Sequence, residues 1–560
     1  MKKLYHVIFL FTISTSSLFA QWAEETLATL TLEQKVGQLF MIPAVSDDVS
    51  KKSIERYMPG KSGITEEYYQ HLIRDKYIGG LIFFKGNPVK QIEIVNKAQS
   101  WGVLPLLVGQ DCEWGLDMRL EGVINFPKHM TLGAIQDDDV IYRVGKMIGQ
   151  QCRMIGVHVN FAPVVDVNYP HNPIIGVRSF GENKELVAHK SLVFSQGLQD
   201  GGVFACAKHF PGHGKTNVDS HLDLPVLELP VQEMTDELYP FKVLIDGGVD
   251  AVMMAHISVP LLDSSYIPSS LSRPMVTDVL RTQLGFDGLV FTDAMVMKAL
   301  SSFFKPAQAS VQAVIAGNDV LLYPMDIEGS MQAIADAVKS GLISEKELDQ
   351  HVLRILRAKE RLGLHQQRMT DAVDIQKRLH SGQASELKKL AFQKAITVVR
   401  NESSFIPFKN LEPSKVGIVD FDAPKKYSDA TVQLGLNATE QEMSDALQAI
   451  KDASTVVVRI FKASIHQGFF GKVSDLAPSI SSFLGALEQQ DKNVVIVLCT
   501  SPYALAHLPS GIPTVVAYEP DDDALAAAMD VAWGRMQAEG VLPISLPTTP
   551  TPTKPIFCIS

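Results

Sequence analysis

Short apolar runs, each closed by a polar or ionisable residue and followed by an amphipathic stretch of helical length, recur along the first two thirds of the chain. After the capping-box pattern Thr31-Leu-Glu-Gln34 the runs are Gly37 to Ile42, Gly80 to Phe84, Leu104 to Gly109, His158 to Val165, Val203 to Ala207, Ala251 to Ala255, Leu289 to Thr292 and Asp319 to Tyr323. Eight strands alternating with helices predict a (β/α)8 TIM-like barrel, whose active site is built at the C-terminal ends of the strands. The residues at those ends include Lys85, Asp111, Asp166, Lys208, His209, His256 and Asp293, a high density of ionisable groups for one edge.

The pattern changes after the helix predicted from Ser344 to Leu362, which Gly363 ends. A polar stretch follows, and a second set of runs begins: Val416 to Val419, Thr455 to Phe461, Val494 to Cys499 and Thr514 to Tyr518. They alternate with helical patterns at Glu440 to Ile450 and Asp523 to Gly534, which predicts a smaller α/β domain around a parallel sheet. The expected division is a barrel over 21–365, a linker over 366–384 and the second domain over 385–560. The acidic run Glu519-Pro-Asp-Asp-Asp523 is expected to start a helix and face solvent.

Composition narrows the classes. Of the 560 residues, 46% are hydrophobic and 20% charged, as in a globular chain too long for one core. A net charge of −11 without a Lys/Arg cluster argues against a nucleic-acid partner. The five cysteines, at 112, 152, 206, 499 and 558, are odd in number and lack metal spacing, so core thiols are expected. Residues 1–20 resemble an export leader: Lys2 and Lys3, an apolar stretch from Leu4 to Ile13, and a run of small residues from Ser14 to Ala20. The stretch is too short to span a bilayer, so the expectation is a periplasmic or extracellular protein with no stable membrane insertion if the leader is cleaved, and a cytoplasmic one otherwise.

The densest chemistry lies in Lys208-His-Phe-Pro-Gly-His-Gly-Lys-Thr-Asn-Val-Asp-Ser-His221. Pro211, Gly212 and Gly214 preclude a helix, so a sharp turn is expected from His209 to Gly214. Asp219 and His221 stand two residues apart, where a carboxylate can fix an imidazole tautomer and stabilise its cation; an Asx-turn with a solvated histidine is the plainer alternative. His209 and His213 have the spacing of two zinc ligands on a helix, but Pro211 and Gly212 lie between them and no Glu takes the general-base slot, so no metal is expected. Asp293, at the end of the seventh run, is placed for a nucleophile or base, or for the N-cap of the next helix. Asp111 and Arg178 have the chemistry to hold hydroxyl groups, or to form an Arg-carboxylate bridge across the mouth.

Together these residues resemble glycoside hydrolase family 3, and within it the β-N-acetylglucosaminidases. The Lys208 to His221 motif carries the resemblance, with the Gly79-Gly-Leu-Ile-Phe-Phe84 segment, Asn160-Phe-Ala-Pro-Val-Val-Asp166, Arg178-Ser-Phe-Gly181 and Thr292-Asp293 in the expected order. Similarity spans most of 25–365, and the second domain matches more loosely, notably at Val541-Leu-Pro-Ile-Ser-Leu546. The resemblance implies a retaining hydrolase without cofactors, acting on N-acetylglucosamine-containing oligosaccharides or muropeptides. It implies Asp293 as nucleophile, His221 paired with Asp219 as acid and base, and Asp111, Arg178, Lys208, His209 and the supporting Asp166 around the sugar. The family commonly has Asp-Glu-Gly-Gly where this chain reads Asp111-Cys-Glu-Trp-Gly115, so Trp114 is expected to alter the depth of the pocket. A phosphorylase, a β-glucosidase or xylosidase of the same fold, and a non-catalytic sugar-binding protein are the competing readings.

Overall fold

A computed structural model describes residues 22–46, 66–409, 411–467 and 471–546; the expected leader and Cys558 lie outside the described residues. The eight barrel strands are β1 (Phe40–Ser46), β2 (Gly80–Gly86), β3 (Leu107–Gln110), β4 (Val159–Asn160), β5 (Phe204–Phe210), β6 (Ala251–Met254), β7 (Leu289–Thr292) and β8 (Leu321–Leu322). All are parallel, and β1 lies between β2 and β8. The seam between β7 and β8 closes through Val320 N donating to Val290 O at 3.0 Å and Thr292 N to Val320 O at 3.0 Å. The strands are short because tight closure leaves room inside for only a few layers of side chains, among them the T-packed rings of Phe161 and Phe291.

Every predicted barrel strand is present, with one change that bears on the site. β5 does not end at Ala207 but runs to Phe210, so Lys208 and His209 belong to the sheet and the turn starts at Pro211. The pairing of β5 with β6 slips between Lys208 and Phe210, which makes His209 the extra residue of a β-bulge. A bulge frees its backbone N–H from the ladder and re-aims the side chain, and His209 uses both.

The second domain holds six strands, β9 (Thr397–Val399), β10 (Val416–Phe421), β11 (Val432–Leu434), β12 (Thr455–Ile460), β13 (Asn493–Leu498) and β14 (Thr514–Val516). Their order is β11-β10-β12-β13-β14-β9, parallel except for β9 against β14. β12 is buried throughout, as a strand covered on both faces must be, and its one charged residue, Arg459, is paired inside with Asp420 at 2.5 Å. β9 and β11 are additions to the expected set.

The segment expected as a linker is packed structure. It carries a short helix, Ile375–Leu379, whose last carbonyl accepts from Gln151 at 3.0 Å, and Thr370 exchanges two 2.8 Å hydrogen bonds with Asn96. The next helix, Gly382–Ala395, begins ahead of Ser385 and joins the domains: Lys388 Nζ reaches Asn125 of the barrel at 3.0 Å and Asp521 of the second domain at 2.8 Å. The acidic run is also partly inside. Asp521 caps the helix Asp522–Ala532, but Glu519 is buried and accepts hydrogen bonds from the barrel, Lys128 N at 2.8 Å and Thr131 Oγ1 at 2.6 Å. Among the described residues no helix is long and apolar enough to cross a membrane, and the four described cysteines are buried and unpaired.

Candidate active site

The C-terminal ends of β3, β4, β5 and β7 bring the predicted residues to one mouth, in two linked clusters. In the first, Lys208 Nζ lies 2.8 Å from Asp111 Oδ1 and 2.8 Å from Glu113 Oε1, and Arg119 holds the other oxygen of Asp111 at 2.5 Å. Arg178 grips Glu113 in a fork, Nη2 to Oε1 at 2.7 Å and Nε to Oε2 at 3.0 Å. Burial alone would favour neutral Glu113, but the neighbouring Arg178 and Lys208 cations overcome it and hold the carboxyl well below its ordinary range. The same balance lowers Asp111, through Lys208 and Arg119. Each buried ion here is paired, the condition under which desolvation can be offset.

Asp166 organises the second cluster. Its carboxylate accepts from His209 Nδ1 at 2.8 Å, from the bulged His209 N at 3.2 Å, and from His213 N at 2.7 Å. His209 Nε2 in turn stands 3.3 Å from Arg178 Nη2, which links the clusters. Gly212 adopts φ +127°, and a Cβ on Gly214 would run into the Val167 carbonyl, so the turn requires glycine at both places. His213 is pushed down to about 4 by burial, and it bridges Thr216 Oγ1 at 2.5 Å and Ser220 Oγ at 3.0 Å. Asn172 closes the loop from below, donating to the carbonyls of His213 and Gly214 at 2.7 Å each. Both ring nitrogens of His209 and of His213 thus have protein partners, which is the geometry of a hydrogen-bonded scaffold.

Beyond that scaffold the loop presents Asp219 and His221. His221 Nδ1 meets Asp219 Oδ1 at 2.8 Å, and the backbone N of His221 donates to the same oxygen at 2.9 Å, so the Asx-turn and the dyad coexist. The imidazole side chain is 57% exposed. The hydrogen bond to Asp219 raises its pKa above the ordinary histidine value against the effect of burial, and the Asp293 carboxylate adds to the rise.

Asp293 follows β7. Its backbone N donates to Met254 O at 2.8 Å, and its Oδ1 accepts from Ala294 N at 2.7 Å. The next helix, Lys298–Ser301, starts after Met297, so Asp293 is not an N-cap. Burial would raise its pKa, but His209, His256 and His221 hold it lowered, and it is ionised at neutral pH. Trp114 is half-buried with Lys128 Nζ 5.5 Å above its ring, beside the contact of Lys128 with Glu519.

Residues 31–358 match the N-terminal domain of glycosyl hydrolase family 3. The chain belongs to that family. It is similar to β-hexosaminidase A of Pseudoalteromonas piscicida, 28% identical over 537 residues covering 84% of this chain and 89% of the relative. It is also similar to a β-N-acetylglucosaminidase/β-glucosidase of Cellulomonas fimi, 27% identical over 460 residues and 78% of each chain. Among solved structures, a family 3 β-N-acetylglucosaminidase from Paenibacillus sp. str. FPU-7 is 31% identical, with a TM-score of 0.76 over 93% of this chain and all of that one. A β-glucoside phosphorylase, 21% identical with a TM-score of 0.78 over 96% of this chain and 97% of its own, shares the fold.

In this family 3 glycosidase the roles of Glu113 and Asn168 escaped the reading of its sequence, and His256 was marked only as one of the ionisable strand-end residues. Glu113 is the hub between Lys208 and Arg178, and its place in Gln110-Asp-Cys-Glu-Trp-Gly115, two residues beyond the strand-end Asp111, was the available signal. His256, fully buried after β6, bonds Ser270 Oγ at 2.7 Å and the Ala294 carbonyl at 3.2 Å, and so supports the backbone that follows Asp293. Asn168 spans to the second domain, accepting from Gly176 N at 3.0 Å and donating to Tyr503 Oη at 2.6 Å. Through Asn168 the second domain is linked to Gly176, two residues from Arg178, and no sequence signal marked it.

Proposed function

We propose that this glycosidase removes terminal non-reducing β-linked N-acetylglucosamine with retention of configuration, through a glycosyl-enzyme on Asp293. The observation that carries the reading is the His221/Asp219 pair, hydrogen-bonded at 2.8 Å on the loop and electrostatically coupled to Asp293. Retention needs an ionised carboxylate on one side of the anomeric carbon and a proton donor on the other. In the first step Asp293 attacks the anomeric carbon while protonated His221 gives its proton to the departing glycosidic oxygen. In the second, neutral His221 takes a proton from water, the water oxygen attacks the anomeric carbon, and Asp293 leaves as carboxylate.

The raised pKa suits this exchange, because the hydrogen bond to Asp219 favours the protonated imidazole that the first step needs, and the neutral ring is a base for the second. Asp111, Lys208, Arg178 and His209 are the residues proposed to receive the sugar hydroxyls, and Asp166 supports them. The names of the relatives from Pseudoalteromonas and Paenibacillus support an N-acetylglucosaminide over a glucoside. Export through residues 1–20 would bring the enzyme to cell-wall muropeptides, the substrate proposed here, and turnover of peptidoglycan its purpose.

Aryl N-acetylglucosaminide and aryl glucoside assays, each with and without phosphate, test the substrate and the acceptor. Trapping with a slow fluorosugar and mapping the labelled peptide tests the nucleophile: a label on any residue other than Asp293, or none, overturns the covalent route through this carboxylate.

A further inference from the structure

Beneath the turn of the catalytic loop lies a carboxyl group that the proposed chemistry does not use. Glu237, on the helix Val231–Asp246, is 1% exposed, and neither of its oxygens has a hydrogen-bond partner within normal geometry. It lies against Gly212: a Cβ built there would stand 2.7 Å from Glu237 Oε2 and 3.0 Å from Glu237 Cβ. Gly212 N donates to His209 O at 2.8 Å and the neighbouring His213 N to Asp166 at 2.7 Å, so the Glu237 side chain floors the backbone through which the loop leaves β5. We propose that Glu237 is a positioning residue, whose buried carboxyl supports the Pro211-Gly212-His213 turn and through it the placement of Asp219 and His221.

The groups facing it make this support dependent on its proton. From the segment after β4 come Asp166 and the Tyr169 hydroxyl, from the loop Lys215, and from its own helix Asp236. Lys215 is engaged elsewhere, 2.5 Å from Glu233 and 5.0 Å from the Tyr169 ring centroid. Burial first, then the Asp166 charge, push Glu237 up to about 8. Below that pH it is a neutral acid that packs without cost in charge. Above it, a second anion appears beside Asp166, the carboxylate that fastens both His209 and His213. The sign follows: folding favours the protonated form, so the support is full at acid pH and is lost as pH rises through about 8.

The inference about activity rests on the proposed role of His221; the inference about the loop does not. The test compares Glu237→Gln, which keeps the shape and cannot ionise, with Glu237→Ala, which opens space under Gly212, using an aryl N-acetylglucosaminide from pH 6 to 10. Relative to wild type, kcat/KM of Glu237→Gln is expected to climb about tenfold per pH unit above pH 8. Glu237→Ala is expected to lose about tenfold in kcat relative to Glu237→Gln at pH 6. In parallel, hydrogen exchange of amides 212–221, corrected for intrinsic rate, should lose protection between pH 7 and 9 in wild type and keep it in Glu237→Gln. A ratio flat with pH, Glu237→Ala equal to wild type, or equal protection in all three proteins overturns the proposal. Should no glycoside be turned over, the exchange measurement alone decides it, separately from the failure of the glycosidase chemistry.

Discussion

Tyr503 of the second domain accepts a 2.6 Å hydrogen bond from the Asn168 amide, whose carbonyl receives the N–H of Gly176 at the start of the turn that ends in Arg178. The second domain therefore helps to set the backbone from which Arg178 grips Glu113.

Tyr503→Phe removes one buried hydrogen bond and leaves the ring in place, and is expected to cost ~1–2 kcal/mol of stability. If Arg178 touches the sugar, kcat/KM should fall about threefold to tenfold, mainly through KM. Thermal melts and steady-state kinetics of the single variant check both.

Glu113→Gln leaves Lys208 and Arg178 without their common counter-charge, at ~3–5 kcal/mol if the fold survives. The folded-state pKa of Glu113 is depressed, so its contribution to stability is present above the ordinary glutamate range and is lost as pH falls through the depressed value. Urea titrations between pH 3 and 7 should show stability falling with acid in wild type and a flatter profile in the variant.

Asp219→Asn withdraws the partner that raises His221, so the imidazole loses its proton at lower pH. The alkaline limb of kcat should move to lower pH, and the rate at pH 7 should fall about tenfold to hundredfold. A pH–rate profile that keeps the wild-type limb would mean that another group supplies the proton.

Lys359 is buried on the helix Glu345–Arg361 with Nζ 2.7 Å from Gln38 Oε1, and burial pushes it down to about 7. The unfolded chain holds this proton more tightly, so the site costs most stability at and below neutral pH, and the cost fades as pH rises from about 7 toward the ordinary lysine range. Lys359→Met should gain ~1–3 kcal/mol at pH 6 and less at pH 10, read by melting at both.

The barrel was legible because each strand is a short apolar run with a polar end, and the repeat itself carries the count. What stayed hidden depends on pairing across space. Lys208 and His209 look like residues past a strand, since charge normally marks an end; they remain in the sheet because Asp111, Glu113 and Asp166 satisfy them. Thr397–Val399 has only three residues and follows its helix without a turn signal, so nothing local separated it. Glu519 carried the composition of a solvated run, and only the facing Lys128 and Thr131 explain its burial. Within the site, the density of ionisable groups drew attention to the Lys208 to His221 motif and the family resemblance gave its residues their expected roles, whereas Glu113 and Asn168 acquire meaning only from their partners.

Asp166 fastens His209 inside the sheet and, four residues on, the amide of His213 in the loop. That double fastening sets where the tether to the proposed proton donor, His221, begins. Between that anchor and His221 the loop holds to the His213 ring through Thr216 Oγ1 at 2.5 Å and Ser220 Oγ at 3.0 Å. The reach of the proposed acid is then the span of those few residues, anchored at His213 rather than at the end of the strand.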